Sequence, residues 1–130
     1  MESYEYKFGD VKIMGLTYID GKLKGRNNIE RTVNFLVDSG ASYTLLDKET
    51  WEELELKPKK TLTFTLADGT KIKRDVSECQ IEILGDEFHT PVILGEEGDE
   101  PLLGAVTLEI LGVVLNPFNR TLQPMRMMLA

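Results

Sequence analysis

With 130 residues and 42% hydrophobic content, the chain can enclose one core and is short for two, so residues 1–130 are expected to form a single domain. Its 15 basic and 22 acidic residues leave a net charge of -7, which argues against a nucleic-acid partner and against phosphate binding. One cysteine, Cys79, excludes an intrachain disulfide framework, and no apolar run reaches membrane-spanning length or follows a basic leader, so a cytoplasmic protein without a membrane partner is expected.

Stretches rich in β-branched and aromatic residues alternate with turn signals along the chain, and strands are expected to dominate. Residues 11–19 read as a first strand, residues 20–28 as a Gly-rich polar loop containing Asp20-Gly21, and residues 31–37 as a second strand that ends on Asp38. Asp47 suits the N-cap of a short helix through Leu54, with Trp51 and Leu54 on one face and Pro58 as a stop. Residues 61–66 alternate strictly, Ala67, Asp68, Gly69 and Thr70 turn, and alternation resumes over residues 71–73, the pattern of a β-hairpin. Residues 76–84 and 88–94 predict a further strand pair turning near Gly85-Asp86, and residues 95–100 form an acidic connection. The apolar pair Leu102-Leu103 runs into Gly104, a brief helix is predicted over residues 105–111 with Gly112 as its stop, and residues 113–115 and 120–123 close the chain as strands.

Alternation along residues 34–38 sends Asn34, Leu36 and Asp38 to one side and Phe35 and Val37 to the other, so the carboxylate emerges beside an apolar side chain. Burial there disfavours ionisation, and such a group is neutralised, paired or used. Gly40 permits a sharp turn that brings peptide N–H groups toward whatever the aspartate binds, and the Ser39 hydroxyl is placed to bond neighbouring backbone. Taken alone, Asp-Ser-Gly is also an ordinary turn tripeptide, and the 61–73 pattern also suits an ordinary surface hairpin.

Three features in order, residues 35–41 (FLVDSGA), the Ala67-Asp68-Gly69-Thr70 turn and Leu102-Leu103-Gly104 before a short helix, together resemble the retropepsin-like aspartic proteases over roughly residues 31–123. The resemblance implies a mostly β, single-domain closed β-barrel-like retropepsin (acid protease) fold with one or two short helices. It implies that Asp38 is the catalytic acid/base, that Ser39, Gly40 and Ala41 shape its loop, that Ala67, Asp68, Gly69 and Thr70 tip a substrate-binding flap, and that Leu102, Leu103 and Gly104 pack against the active loop. Two departures stand out against viral members: Ser39 replaces the usual threonine, and Ala105 stands where an arginine is usual, so the viral dimer contacts do not carry over directly.

The chemistry needs two carboxylates sharing a proton, and the sequence has one Asp-Ser/Thr-Gly triplet. A homodimer with Asp38 of each chain at the two-fold axis supplies the second. The expected activity is cleavage of extended peptides or proteins by water, without metal or organic cofactor. Two other readings compete: a noncatalytic module of the same fold, used for dimerisation or peptide binding, and a Cys79 nucleophile with His89 as base. The methionines within residues 125–128 suit an adhesive partner site or an adaptable core filler.

Overall fold

The computed structural model describes residues 6–8, 11–13 and 16–125, with side chains from residue 16 onward. The described residues are mostly strand, with two α-helices. Strands β1 (Tyr6–Phe8) and β2 (Val11–Ile13) pair as a small antiparallel hairpin.

The main sheet starts at β3 (Tyr18–Lys24), which runs antiparallel to β4 (Glu30–Val37). This corrects the expected 11–19 strand and 20–28 loop: Asp20-Gly21 lies inside β3, and only a 3-10 turn at Arg26–Asn28 separates β3 from β4. The reason is packing, since a side chain at Gly21 would come within 3.0 Å of the Phe35 ring and 3.3 Å of Ile83. Along β4, Val33, Phe35 and Val37 enter the core, while Asn34 stays exposed and donates to Asp20 across the strand pair (2.9 Å).

After the Asp38 turn come β5 (Thr44–Leu46), which the sequence did not announce, and α1 (Lys48–Glu53). Asp47 caps α1 as expected, accepting from the Thr50 N–H, and Leu54 behind it is fully buried. The Trp51 indole N–H donates to the Gly95 carbonyl (2.8 Å), tying α1 to the acidic connection.

Strand β6 (Lys60–Thr65) and the first part of β7 (Lys71–Ile83) form the predicted hairpin. Instead of breaking near residue 75, β7 continues for 13 residues and pairs from Val76 onward with β8 (Asp86–Leu94). Strand β9 (Leu102–Leu103) fits between β4 and β5, and α2 (Ala105–Leu111) ends at Gly112 in the left-handed conformation (φ 68°). Strands β10 (Val113–Asn116) and β11 (Thr121–Pro124) make a separate antiparallel pair.

The main sheet runs in the order β3-β4-β9-β5-β8-β7-β6, and β3 also pairs with β7. The sheet thereby closes on itself, leaving β6 outside the ring. Leu23, Phe35, Leu46, Ile81, Val92 and Leu103, all fully buried, fill the interior. Of the methionine cluster, Met125 donates its N–H to the Gly112 carbonyl (2.6 Å), and the rest lies outside the described residues. No helix among the described residues is long and apolar enough to cross a membrane.

Candidate active site

Asp38 follows the last residue of β4, where the strand leaves the core. Three backbone bonds fix this exit: Val37 N–H to Thr17 carbonyl (2.8 Å), Asp38 N–H to Leu103 carbonyl (3.0 Å) and Ala41 N–H to Asp38 carbonyl (3.1 Å). The half-buried Asp38 carboxylate accepts the Gly40 N–H at 2.9 Å. A side chain at position 40 would sit 3.2 Å from that carboxylate oxygen, a tight contact to which the carboxylate would have to yield by a few tenths of an ångström. Its φ is not positive, so the turn does not draw on a backbone conformation reserved for glycine. Ser39 is exposed, and among the described residues its hydroxyl has no hydrogen-bond partner, so the expected bond to neighbouring backbone is not made.

Leu102-Leu103-Gly104 lies beside this loop, with the Leu103 carbonyl accepting the Asp38 N–H. Strand β9 pairs Leu102 with Leu36 and Leu103 with Val37. Beyond it, the Ala105 N–H donates to the Ala41 carbonyl (2.7 Å) and the Val106 N–H to the Ser42 carbonyl (2.9 Å). These donors belong to the first turn of α2, which has no partners for them within the helix, so loop and helix end satisfy each other.

A buried hydroxyl network holds the far side of the loop. The Gly104 N–H donates to Thr44 Oγ1 (3.1 Å), Thr44 Oγ1 lies 2.6 Å from Thr107 Oγ1, and Thr107 Oγ1 lies 2.7 Å from Thr90 Oγ1. Thr90 Oγ1 donates onward to the Pro91 carbonyl over a longer 3.5 Å. With that last proton placed, one order satisfies every bond: Gly104 amide to Thr44, to Thr107, to Thr90, to carbonyl. All three threonines are at most 1% exposed.

Sequence reasoning missed this network, and the available signal was weak: Thr44 and Thr90 lie in apolar strand stretches and Thr107 in a short apolar helix. Thr107→Val removes the central hydroxyl while keeping the shape. It is expected to lower stability by about 1–3 kcal/mol, because two buried hydroxyls lose a partner. Denaturant unfolding checks this, with a lower midpoint, an unchanged slope and recovery in Thr107→Ser.

The β6–β7 hairpin carries the remaining sequence candidates. Ala67, Asp68, Gly69 and Thr70 are all exposed at its tip. The Gly69 N–H closes the turn onto the Leu66 carbonyl (2.9 Å), and the Leu66 N–H donates to the Thr70 carbonyl (2.7 Å). Gly69 takes φ 88°, the left-handed position of a three-residue hairpin loop with a bulge. Among the described residues no hydrogen bond links residues 67–70 to residues 38–41. The connection runs lower down, where the Phe64 ring meets the Tyr43 ring edge-on at 6.0 Å and 84°.

Hydrogen bonds from the Thr70 side chain and backbone hold the Asp68 carboxyl below the usual carboxylate range. For an acid lowered in this way, the stabilisation is complete above its ordinary value and is lost as pH falls through the lowered one. Protection of the Thr70 N–H, taken relative to an unstructured amide at the same pH, is therefore expected to persist in mild acid and to be lost only below the ordinary carboxylate range. In Asp68→Ala that protection is expected to be absent throughout.

The cysteine and histidine do not form a catalytic pair. Cys79 is opposite Thr90 and His89 opposite Gln80, so the two side chains leave opposite faces of adjoining strands. Cys79 is buried, and desolvation, with the Glu78 charge second, pushes its thiol up to about 12, away from nucleophilic form. Among the described residues no group of three or more His, Cys, Asp or Glu is arranged to hold a metal ion.

The family model described as "gag-polyprotein putative aspartyl protease" matches residues 23–109, a span that contains the Asp38 loop, the β6–β7 hairpin and Leu102-Leu103-Gly104. No curated protein matches the chain.

Proposed function

The chain belongs to the retropepsin-like aspartyl protease family, and from that premise we propose that it is an aspartic endopeptidase whose active site forms from Asp38 of two copies. The observation that carries the reading is the half-buried Asp38 carboxylate, held by the Gly40 N–H at the end of β4 and backed by Leu103 and α2. Everything around it fixes the position of one carboxylate. The reaction requires two.

A two-fold axis beside the Asp38 loop brings identical carboxylates together. Like charges a few ångströms apart favour a state with one shared proton. The ionised member takes a proton from water, whose oxygen attacks the peptide carbonyl carbon, while the protonated member hydrogen-bonds the carbonyl oxygen. Collapse of the tetrahedral adduct breaks the C–N bond as the leaving nitrogen gains a proton. No covalent bond to the protein forms at any stage.

In this reading the β6–β7 hairpin is the flap, and residues 67–70 close over an extended peptide. Leu62, Phe64 and Ile72 share its half-buried face, which suits apolar substrate side chains. Leu102, Leu103 and Gly104 act as the support of the loop.

Dependence of specific activity on protein concentration tests the assembly. Peptidase activity per chain is expected to fall on dilution in step with the dimer fraction measured by sedimentation. Constant specific activity in a purely monomeric sample contradicts the proposal.

A further inference from the structure

A cavity of about 510 Å³ opens on the barrel wall away from the Asp38 loop. Its origin is a gap in strand pairing. One edge of β7 pairs with β6 as far as Val76 and with β3 from Gln80 onward, leaving Ser77, Glu78 and Cys79 with no strand on that edge. The Val76 carbonyl accepts the Lys59 N–H on this edge (2.8 Å). Residues two apart present their peptide groups to the same edge, so the Glu78 N–H faces the opening.

The rim is basic in a chain whose net charge is -7. Lys24, Arg26, Lys57 and Lys59 all line it, together with Glu78 and His89. Lys59 is engaged by Glu78 at 2.8 Å and Lys24 by Glu87 at 3.7 Å. Arg26 and Lys57 are exposed, and among the described residues neither has a carboxylate partner. Two positive charges therefore remain uncompensated beside a backbone donor.

We propose that this cavity binds the dianionic head of a small phosphate monoester. Such a group carries a charge of about -1.5 to -2 at neutral pH, which matches the free charge of Arg26 and Lys57. The planar Arg26 guanidinium donates to two phosphate oxygens at once, Lys57 supplies a point charge, and the Glu78 N–H reaches a third oxygen. A carboxylate leaves one cation unmatched. A long polyanion meets the negative field of the whole molecule, whereas a small dianion feels mainly charges within roughly 10 Å.

The cavity falls within the range of roughly 300–1,000 Å³ typical of small-molecule sites. Arg26 precedes β4 and Asp38 follows it, and eight strand residues at about 3.3 Å each separate the two by roughly 26 Å. The site is therefore distinct from the proposed peptide cleft. The earlier expectation against phosphate rested on net charge, which does not register how the cations are placed.

The test is amide NMR of the isotope-labelled full chain titrated with inorganic phosphate, glycerol phosphate and acetate at matched ionic strength. Saturable shifts at Arg26, Lys57 and Glu78 are expected with both phosphates, with acetate about tenfold weaker or worse. Arg26→Gln with Lys57→Gln is expected to weaken phosphate binding by about tenfold or more, while Lys48→Gln, outside the cavity, leaves it unchanged. Acetate binding as well as phosphate overturns the proposal, as does unchanged binding in the double variant. Inorganic phosphate binding with glycerol phosphate excluded overturns the monoester assignment. All of these readouts are independent of peptide cleavage.

Discussion

Asp38→Asn is expected to reduce peptide cleavage by about a thousand-fold or more while leaving the fold intact. Asparagine keeps the shape and still accepts the Gly40 N–H through its carbonyl oxygen, so the loop bond at 2.9 Å has a substitute. What disappears is the group that, in the proposed mechanism, takes a proton from water. Mixing the variant with parent sharpens the result: after subunit exchange in equal parts, about a quarter of the dimers carry two aspartates, so about a quarter of the activity should remain. About half remaining would mean that each chain works alone. Folding is checked in the same samples by thermal unfolding, where parent and variant should differ little because Asp38 lies on the loop rather than in the core.

Gly104→Ala is the second large effect. The added carbon would sit 2.5 Å from the carbonyl carbon and oxygen of Tyr43 and 3.0 Å from the Ser42 carbonyl oxygen. These atoms belong to the backbone, so no rotamer change relieves the clash. The backbone at Gly104 is extended (φ -99°, ψ 174°) and open to any residue, so the cost is steric. Overpacking of this kind costs about 1–3 kcal/mol. The upper end is expected here, with a fall in melting temperature of roughly 10 °C. Relief by moving the 42–43 backbone would pull on the loop that ends at Asp38, so activity should fall further than the unfolded fraction explains. A melting temperature within a degree of the parent would mean that Gly104 is only a spacer.

The alternation of residues 31–37 was enough to find β4 and to place Asp38 at its end, because a strand with one buried face writes its period into the chain. Asp47 was legible as a helix cap, and Asp68-Gly69 as a turn, since both depend on local chemistry. Asp20-Gly21 carried the same turn signal and misled, because there the glycine makes room for Phe35 and Ile83 from elsewhere in the chain. Strand β7 read as two pieces because Arg74 and Asp75 interrupt its apolar pattern; that part pairs with β6 outside the barrel ring and has less core to face. Strand β5 has three residues, too few to show a period.

The loop itself was legible as a motif, and the hydroxyl network behind it was not. Thr44, Thr90 and Thr107 are polar residues of ordinary appearance, and only the fold brings their hydroxyls within 2.7 Å of one another in sequence along the network. Likewise, the need for glycine at position 104 depends on the backbone of residues 42–43 passing behind it. The basic rim around Ser77–Cys79 was hidden by the net charge, since Lys24, Arg26, Lys57 and Lys59 come from two separate segments.

The central claim is peptide hydrolysis by Asp38, and mass spectrometry of a diverse peptide library tests it most directly. Parent and Asp38→Asn, both shown folded and dimeric, are incubated with the library in heavy-oxygen water from acidic to neutral pH. Cleavage by the parent alone is expected, with heavy oxygen in each new carboxyl group and no peptide adduct on the protein. Cleavage that survives in Asp38→Asn, a covalent adduct, or no cleavage by the parent across the library and pH range would contradict the account.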